Sequence, residues 1–461
     1  MANASLLQFV HRPRRGAELF LLVLALVVGI GAYACVGLGV DGEVPANIVA
    51  YGGWLAALVI IAHVVVRLVA PYADPVLLPV VAALNGLGLA VIHRLDLALD
   101  TGRADQQLVW MTVGVALFVA TLVFLRDHRI LARFTYTSGL LAIALLILPM
   151  LPLIGNEVNG ARIWISIGPI GFQPGEIAKV LLVITFAGYL VVHRDALALA
   201  GRRVLFIDFP RGRDLGPILV MWGISLSILI LQKDLGSSLL FFGLFLIMLY
   251  VATERPGWLV VGGALFFGGA AVAFQIFAHV QQRVNIWIDP FADRNGDGYQ
   301  LVQGLYGFAW GGLIGRGLGE GMPSRVPEAE SDFIMAAIGE ELGLTAVIAV
   351  LLLYGIIVER ALRAALISRD GFGKLVATGL AGVLAIQVFV VIGGVTRLIP
   401  LTGLTTPFLS YGGSSLVANW VIVALLLRIS DQARRPVPEL TDESEDPDLL
   451  TTQVVKTVKA P

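Results

Sequence analysis

The sequence predicts an all-α integral membrane protein, a polytopic helical bundle of about 10–12 transmembrane helices with a large extracytoplasmic loop. Two observations predict this class. Hydrophobic residues make up 57% of the 461 residues and charged residues only 14%, whereas a soluble domain is about a quarter charged. The apolar stretches are also long enough to cross a bilayer as helices, and they are too long for the strands of a membrane barrel.

Twelve apolar stretches are candidate spans, in the order of the chain. They lie near residues 18–40, 53–71, 76–93, 107–125, 137–154, 176–192, 215–231, 236–252, 257–279, 333–358, 374–396 and 411–428. The first is too long for a removable signal peptide and lacks a small-residue cleavage site. The single Cys35 excludes a disulfide framework and a cysteine-based zinc site.

Arginine and lysine residues in the short loops predict the orientation, because such residues are enriched in cytoplasmic loops. One side of the bundle receives most of them, including Arg14, Arg129, Arg202, Arg360 and Arg434. We therefore expect that side, with both termini, to face the cytoplasm, and we expect a multi-pass protein of the cytoplasmic (inner) membrane. The net charge of −1 and the lack of a long basic stretch exclude nucleic acid as a partner.

Ionisable residues gather at the external ends of the predicted spans, where a charge is costly unless it is solvated or paired. These residues are Glu176, Lys179, Asp234, Arg283, Asp332 and Arg397. Scattered structural ion pairs would not be expected to cluster on one side. The pattern favours a water-filled cavity that opens outward and is lined by acids and bases.

Local structural roles are an alternative for four of these residues. Glu176 and Lys179 are three positions apart, so they share a helical face and can form a simple ion pair at a helix start. Asp234 and Asp332 each precede an apolar stretch and can cap the helix that follows. The residue pattern alone leaves both interpretations open.

Three further features have mainly structural interpretations. We expect structural polar contacts for Glu340 and Glu341, which lie inside a predicted helix. Trp164 and Trp287 fit an interfacial aromatic belt. Residues 293–298 (DRNGDG) match the opening of a calcium loop but lack its final bidentate glutamate, so a glycine-rich turn is favoured.

Five blocks of the sequence together resemble the SEDS family (shape, elongation, division and sporulation), which comprises peptidoglycan polymerases of the RodA and FtsW type. The blocks are GARIWISIGPIGFQPGEIAK, KDLGSSLL, DGYQLVQGLYGFAWGGLIGRGLG, VPEAESDFIMAAIGEELG and IPLTGLTTPFLSYGGSSLVANW. They follow the family's order over about 160–430. The SYGGSS block and the approach GGVTRLIPLTG resemble the elongation type more than the division type.

The resemblance implies a glycosyltransferase that polymerises lipid II on the outer face of the cytoplasmic membrane for cell elongation and shape. The essential acid of the family, in its pattern Pro-Glu-x-x-Thr-Asp-Phe-Ile, matches Asp332, which is therefore the candidate catalytic residue. The matching substrate-binding candidates are Trp164, Glu176, Lys179, Asp234 and Arg283.

The chemistry of that reaction suits these residue types. A sugar hydroxyl needs a carboxylate base, here Asp332, whose ionised form the dipole of the following helix should favour. The departing pyrophosphate needs positive charge, which Lys179 and Arg283 can supply, with Glu176 orienting the lysine and Asp234 holding the polar network. No cofactor is expected with certainty, and a divalent cation (Mg²⁺ or Mn²⁺) stays an open alternative for the leaving group.

The chain departs from the family pattern close to the candidate site. Gly175 replaces the usual serine, Lys233 the usual proline, and Glu330-Ser331 the frequent His-Thr before the aspartate. None of these changes removes a candidate group. We expect Glu330 to alter the electrostatics of Asp332, two positions away.

The resemblance also suggests a division of the chain. Residues 1–100 form N-terminal transmembrane helices that can be additional to the family core. The polytopic core spans 101–430 with its external loop at 280–332, and residues 431–461 form a disordered acidic cytoplasmic tail. The implied partners are lipid II, membrane lipids and a class B penicillin-binding protein (a transpeptidase). A flippase or transporter of lipid-linked precursor is the alternative function, because such carriers also enclose a polar cavity.

Overall fold

The twelve predicted spans all form helices in the computed structural model of the protein, which describes residues 13–152, 154–158, 160–167, 170–198, 202–204, 207–209 and 212–436. In this part of the chain, eleven helical segments are long and apolar enough to cross a membrane. The seventh predicted span is a shorter apolar helix, Leu215–Leu231. Three residues before Leu215 are helical as well, so the whole helix, Gly212–Leu231, is about 30 Å long, which matches the thickness of a bilayer core. The predicted all-α membrane fold is confirmed.

The helices that match predicted spans have the following bounds. They are α1 (Arg15–Val40), α2 (Ile48–Val69), α3 (Leu77–Leu99), α4 (Arg103–Phe124), α5 (Thr135–Ile147), α6 (Gly175–Ala198), α7 (Gly212–Leu231), α8 (Leu235–Thr253), α9 (Gly257–Ile276), α12 (Ile334–Ile367), α13 (Gly371–Val395) and α14 (Gly413–Arg434). Short 3-10 segments at His128–Phe134 and Leu148–Met150 extend α5 at either end, and a third lies at Pro323–Arg325.

Two shorter helices, α10 (Ala278–Ile288) and α11 (Tyr299–Gly311), lie in the long connection between α9 and α12. We call the end of the bundle that carries this connection the loop face. The opposite end, which carries residues 70–76 and 368–370 and most of the loop arginines, is the arginine face. Residues 13 and 436 both lie at the arginine face, because an even number of crossings separates them. Of the acidic tail predicted for residues 431–461, the part from 437 onward lies outside the described residues, and residues 431–434 belong to the last turn of a helix, so the predicted start is too early.

Small β-sheets in two connections were not predicted. In the first, β1 (Gly155–Val158), β2 (Ala161–Ile167) and β3 (Ile170–Phe172) form an antiparallel sheet at the loop face. Its central strand alternates, with Ile165 buried and its neighbour Ser166 exposed, as a strand with one covered face requires. In the second, β4 (Arg202–Val204) pairs with β5 (Ile207–Phe209). Such short strands are easily missed beside spans five times their length.

The helices differ widely in how far the rest of the protein covers them. Of the 18 consecutive residues that are most apolar in each helix, 94% are buried in α14 and 6% in α9. Two other helices, α6 and α13, are also mostly buried and pack against each other and against α8. Polar side chains that these central helices carry are therefore shielded from lipid by the protein itself.

Helix α12 is broken near its start, where the long connection inserts its backbone. Gly343 has a φ of +77°, and a Cβ there would lie 2.3 Å from the amide nitrogen of Gly315, so only glycine fits. The connection satisfies the groups that the break releases. Arg316 N donates to the carbonyl of Glu340 at 3.1 Å, and Leu344 N donates to the carbonyl of Gly312 at 2.9 Å.

The two glutamates before the break make the structural contacts that the sequence predicts. Glu341 accepts a hydrogen bond from the Arg94 guanidinium at 2.8 Å, which ties α3 to α12. Glu340 accepts from the backbone amide of Met322 at 2.7 Å. Both carboxylates are buried, so they fix the connection against the membrane helices.

Candidate active site

The first two candidate residues lie together at the start of α6. The Lys179 ammonium is 2.5 Å from a carboxylate oxygen of Glu176, as expected for residues three apart on one face. Both side chains are buried. A buried charge is costly unless it is paired, and here Glu176 pairs with and orients the lysine.

A third member of this group, Gln387 of α13, was not among the sequence candidates. Its side-chain oxygen accepts a hydrogen bond from Lys179 at 3.0 Å, and its amide nitrogen donates to the carbonyl of Thr405 at 2.8 Å. The signal in the sequence was a lone glutamine inside an otherwise apolar span. Its contacts join the lysine to segment 396–412, which connects α13 to α14.

Asp234 lies between α7 and α8 and has the capping role that the sequence left open. Its carboxylate accepts a hydrogen bond from the backbone amide of Ser237 at 2.9 Å, at the start of α8. Burial raises the pKa of Asp234, while the bonds from Ser237 and the charge of Arg283 oppose the rise. The carboxylate of Glu176 also acts on it, so the cap belongs to the same polar group.

Arg283 comes from α10 and points toward the acids. Its guanidinium donates a hydrogen bond to the carbonyl of Leu401 at 2.8 Å, which again involves segment 396–412. Burial lowers the pKa of Arg283, and the charges of Asp234 and Asp332 counteract this. The arginine thus lies within electrostatic reach of both carboxyl groups.

Asp332 lies two residues before the first residue of α12. The N-cap position of that helix is Phe333, and no side chain caps it, so the alternative role of Asp332 as a helix cap is not observed. The Asp332 side chain instead accepts a long hydrogen bond from the Ser331 hydroxyl at 3.4 Å. Its carboxyl is the least engaged of the candidate acids.

The expected ionisation of Asp332 needs correction. We expected the helix dipole to favour the ionised form, but burial outweighs it and raises the pKa of Asp332 to about 7. A hydrogen bond from its own backbone amide opposes the rise, as do Ser331 and Arg283, whereas Glu328 adds to it. A carboxyl group with a pKa near the working pH is well matched to accept a proton.

We expected Glu330 to alter the electrostatics of Asp332, but a different carboxylate, that of Glu328, raises its pKa. The Glu330 carboxylate is 4% exposed and forms an ion pair with Arg103, the first residue of α4. The neighbouring carboxylate that raises the pKa of Asp332 is Glu328. The sequence could not indicate this, because the partner of Glu330 lies far away in the chain.

Trp164 does not join the group of acids and bases. Its neighbour Ile163 lines a small cavity together with Gln173, Gln232 and Asp234. Successive residues of a strand point to opposite faces, so the indole points away from that cavity. Trp164 pairs with Asn156 of β1 and lies beside Gly171 of β3.

The described residues contain no group of three or more histidine, cysteine or carboxylate side chains that could hold a metal ion. The acids Glu176, Asp234 and Asp332 therefore do not form a ready-made cation cage. In the segment that resembles a calcium loop, the Asp293 carboxylate accepts hydrogen bonds from the amides of Gly296 and Asp297, both at 3.1 Å. That segment forms a turn.

The same polar group lies within a match to a known family. A family model for FtsW, RodA and SpoVE, described as "Cell cycle protein", matches residues 75–435. The chain belongs to the FtsW/RodA/SpoVE family. The matched range begins just before α3 and contains all six candidate residues, and the recognition of the SEDS family from sequence motifs is confirmed.

Within the FtsW/RodA/SpoVE family, mycobacterial RodA proteins are more similar in sequence to this chain than an FtsW relative is. The peptidoglycan glycosyltransferase RodA of Mycobacterium tuberculosis is 51% identical over 431 residues, covering 92% of each chain. RodA of Mycobacterium leprae is 47% identical over 451 residues, covering 96% of each. The probable peptidoglycan glycosyltransferase FtsW of Trichlorobacter lovleyi is 33% identical over 367 residues, covering 77% of this chain and 93% of that one. The predicted RodA type is confirmed.

Solved structures of the family agree with the fold. A chain from a peptidoglycan synthase complex that coordinates polymerization and crosslinking is 28% identical, with a TM-score of 0.65. A mutant of the rod shape determining protein RodA of Thermus thermophilus is 26% identical, with a TM-score of 0.57. Each match covers 79% of this chain and 99% of the other.

Proposed function

We propose that this protein is a peptidoglycan glycosyltransferase that polymerises lipid II into glycan strands on the outer face of the cytoplasmic membrane, for cell elongation and shape. The enzyme class predicted from sequence motifs agrees with the names of its mycobacterial relatives. The observation that carries the proposal is a carboxyl group, Asp332, with a pKa of about 7, set opposite Arg283 at the loop face.

Asp332 acts as the general base. In polymerisation, a hydroxyl oxygen of one sugar forms a bond to the anomeric carbon of another, and the bond from that carbon to the lipid pyrophosphate breaks. The hydroxyl proton passes to the Asp332 carboxylate, since the pKa of a sugar hydroxyl lies far above neutrality. The long bond from Ser331 and the bond from the amide of Asp332 itself leave lone pairs on the carboxylate that can accept this proton.

The two cations stabilise the departing pyrophosphate. Arg283 uses one guanidinium donor on the carbonyl of Leu401, and a guanidinium has five, so others can reach a phosphate. Lys179 is enclosed by Glu176 and Gln387 and acts as a fixed positive charge behind the site. Preorganised charges of this kind stabilise charge that develops in the transition state without reorganising.

The membrane orientation follows from the arginine distribution. We place the loop face outside and the arginine face, with both termini, in the cytoplasm. In a Cys35→Ser background, a membrane-impermeant thiol reagent should label Asn295→Cys in intact cells but not Arg363→Cys. Labelling of Arg363→Cys from outside would contradict this orientation.

A class B penicillin-binding protein is the partner that we propose. One of the solved relatives belongs to a peptidoglycan synthase complex that coordinates polymerization and crosslinking. Crosslinking is transpeptidase chemistry. Affinity purification of the tagged, full-length protein in mild detergent should recover this transpeptidase. If the transpeptidase does not co-purify even after chemical crosslinking of the membranes, the pairing is contradicted.

Purified protein incubated with fluorescent lipid II tests the function directly. Polymer on a gel, absent with the Asp332→Asn variant, supports the glycosyltransferase. In parallel, the protein is reconstituted in vesicles, and the exchange of lipid II between leaflets is followed. Exchange without polymer would instead support the flippase.

A further inference from the structure

An ion pair links the start of α4 to the segment that carries Asp332. The Arg103 guanidinium pairs with the Glu330 carboxylate, with 35% and 4% of the two side chains exposed. The carbonyl of Glu330 accepts a hydrogen bond from the amide of Tyr411 at 2.7 Å, and the guanidinium lies 5.8 Å from the centre of the Tyr411 ring. Residue 330 is therefore held by both its side chain and its backbone.

Arg103 is itself anchored to a rigid part of the bundle. The Asp96 carboxylate, at the end of α3, accepts hydrogen bonds from the amide of Arg103 at 3.1 Å and from the amide of Ala104 at 2.7 Å. These bonds fix the turn between α3 and α4. The backbone of Arg103 is thus fixed, and its guanidinium holds the loop segment from a rigid base.

Asp332 has no comparable anchor of its own. Its side chain accepts the weak bond from Ser331 and a bond from its own backbone amide, neither of which ties it to another element, and the four residues before it form turns with Glu328 at a φ of +53°. The nearest strong side-chain contact along the chain is the one at Glu330. A displacement of residue 330 is passed on to Asp332 through two peptide units.

We propose that Arg103, by pairing with Glu330, is a positioning residue that sets the location and the electrostatic surroundings of Asp332. The proposal rests on the function proposed above. The pair has two effects: it fixes the backbone two residues before the base, and it cancels a negative charge that would otherwise act on the base. The groups that face Asp332 directly are Glu328, Ser331 and Arg283.

Removal of either partner should change the pH profile of polymerisation, in opposite directions. Arg103→Ala frees the Glu330 carboxylate, which disfavours ionisation of Asp332 and shifts the acidic limb to higher pH. Glu330→Gln leaves the Arg103 cation uncompensated and shifts the limb to lower pH. A pair with only a structural role would lower the thermal stability and move neither limb.

The rate of polymerisation should depend on how well the pair holds Asp332 in position. Misplacement of a reacting group by about 1 Å can cost roughly 10²-fold, so we expect kcat of Arg103→Ala to fall about 10- to 100-fold with little change in KM. The charge-swapped double variant Arg103→Glu/Glu330→Arg should recover most of this loss. Arg363→Ala, which breaks the exposed pair with Glu359 on α12, is the matched control and should leave kcat unchanged.

The experiment compares wild type, the two single variants, the double variant and the control in lipid II polymerisation from about pH 5.5 to about pH 8.5, with thermal stability measured alongside. Wild-type kcat and an unshifted limb in both folded single variants would overturn the positioning role and leave the proposed function intact. If Arg103→Ala does not fold, Glu330→Gln and the double variant decide the matter. If the wild-type protein makes no polymer, both proposals fail.

Discussion

Two aspartates, one just before α12 and one just after it, have opposite shifts in the pKa of the carboxyl group at the two faces of this protein. At the arginine face, Asp370 caps α13, accepting from the amide of Gly373 at 2.6 Å and from His128 at 3.1 Å. Burial alone would raise its pKa, but these bonds and the charges of His128 and Arg129 hold the pKa of Asp370 at about 2. At the loop face, burial raises the pKa of Asp332 to about 7.

The difference lies in the hydrogen bonds rather than in burial alone. Both side chains are at least partly enclosed, but Asp370 has short-range donors from two other residues, Gly373 and His128, whereas Asp332 accepts from its own amide and weakly from Ser331. Asp370 is thus committed to holding the connection between α12 and α13. Asp332 keeps its hydrogen-bonding capacity, at a cost in solvation that a purely structural residue would not incur.

The largest expected effect is that of Asp332→Asn. The amide keeps the size of the side chain but cannot take a proton, so polymerisation should fall by about 10²- to 10⁴-fold. Thermal stability should stay close to that of the wild type, because no cap is lost. Polymerisation of lipid II by the purified variant, with its melting curve, is the measurement. Robust glycan synthesis would remove Asp332 from its role as the base.

The next largest effect concerns the cations of the loop face. Lys179→Ala and Arg283→Ala should each weaken transition-state stabilisation by about 2–4 kcal/mol, the range for preorganised charges. The measurement is kcat/KM with lipid II, with Arg194→Ala, from an exposed pair with Glu254, as the control. Wild-type values for both folded variants would show that the pyrophosphate is stabilised elsewhere.

Asp370→Asn should have a smaller effect, and it should lower the stability of the fold and not the rate of polymerisation. The pKa of this carboxyl falls from 3.8 to about 2 on folding. The stability of about 2 kcal/mol that this represents is present above pH 3.8 and is lost as pH falls through the folded pKa. The variant should therefore unfold more easily at neutral pH, while the rate per folded molecule is unchanged. A parallel loss of rate would mean that the two faces are coupled.

The mildest test leaves the chain unaltered and varies pH. The proton-accepting form of Asp332 is lost as pH falls through its pKa of about 7. Polymerisation should decline toward acid, about tenfold per unit well below that value, and level off above it. The residual activity of Asp332→Asn should lack this limb. A flat wild-type profile across the same range would contradict the raised pKa.

Sequence reasoning succeeded where the signal is local. Hydropathy located all twelve spans, and the spacing of three residues predicted the contact between Glu176 and Lys179. The site motifs also brought forward Asp234, Arg283 and Asp332, and the structure places Arg283 within electrostatic reach of both aspartates.

The sequence did not reveal contacts between distant segments. The carbonyl of Leu401 that holds Arg283 has no side-chain signature, because every residue has a carbonyl. The pairing of Arg103 with Glu330 joins residues more than two hundred positions apart. Trp164 was predicted from a motif, yet the strand that carries it turns the indole away from the cavity, and strand orientation depends on a register that the sequence leaves unspecified.

The break in α12 is bridged by the loop face. Nine residues, 334–342, lie between Asp332–Phe333 and the break at Gly343. On one side of the break, the carbonyls of Glu340 and Glu341 accept hydrogen bonds from the amides of Arg316 and Gly317, and on the other side the amides of Leu344 and Thr345 donate to the carbonyls of Gly312 and Leu313. Segment 312–317 therefore ties both parts of the helix to the loop face. When a membrane thickens or thins, spanning helices respond by tilting. Because segment 312–317 is bonded to both sides of the glycine, we expect that tilt to reach the loop face, so that the rate of polymerisation depends on the thickness of the membrane in which the enzyme lies.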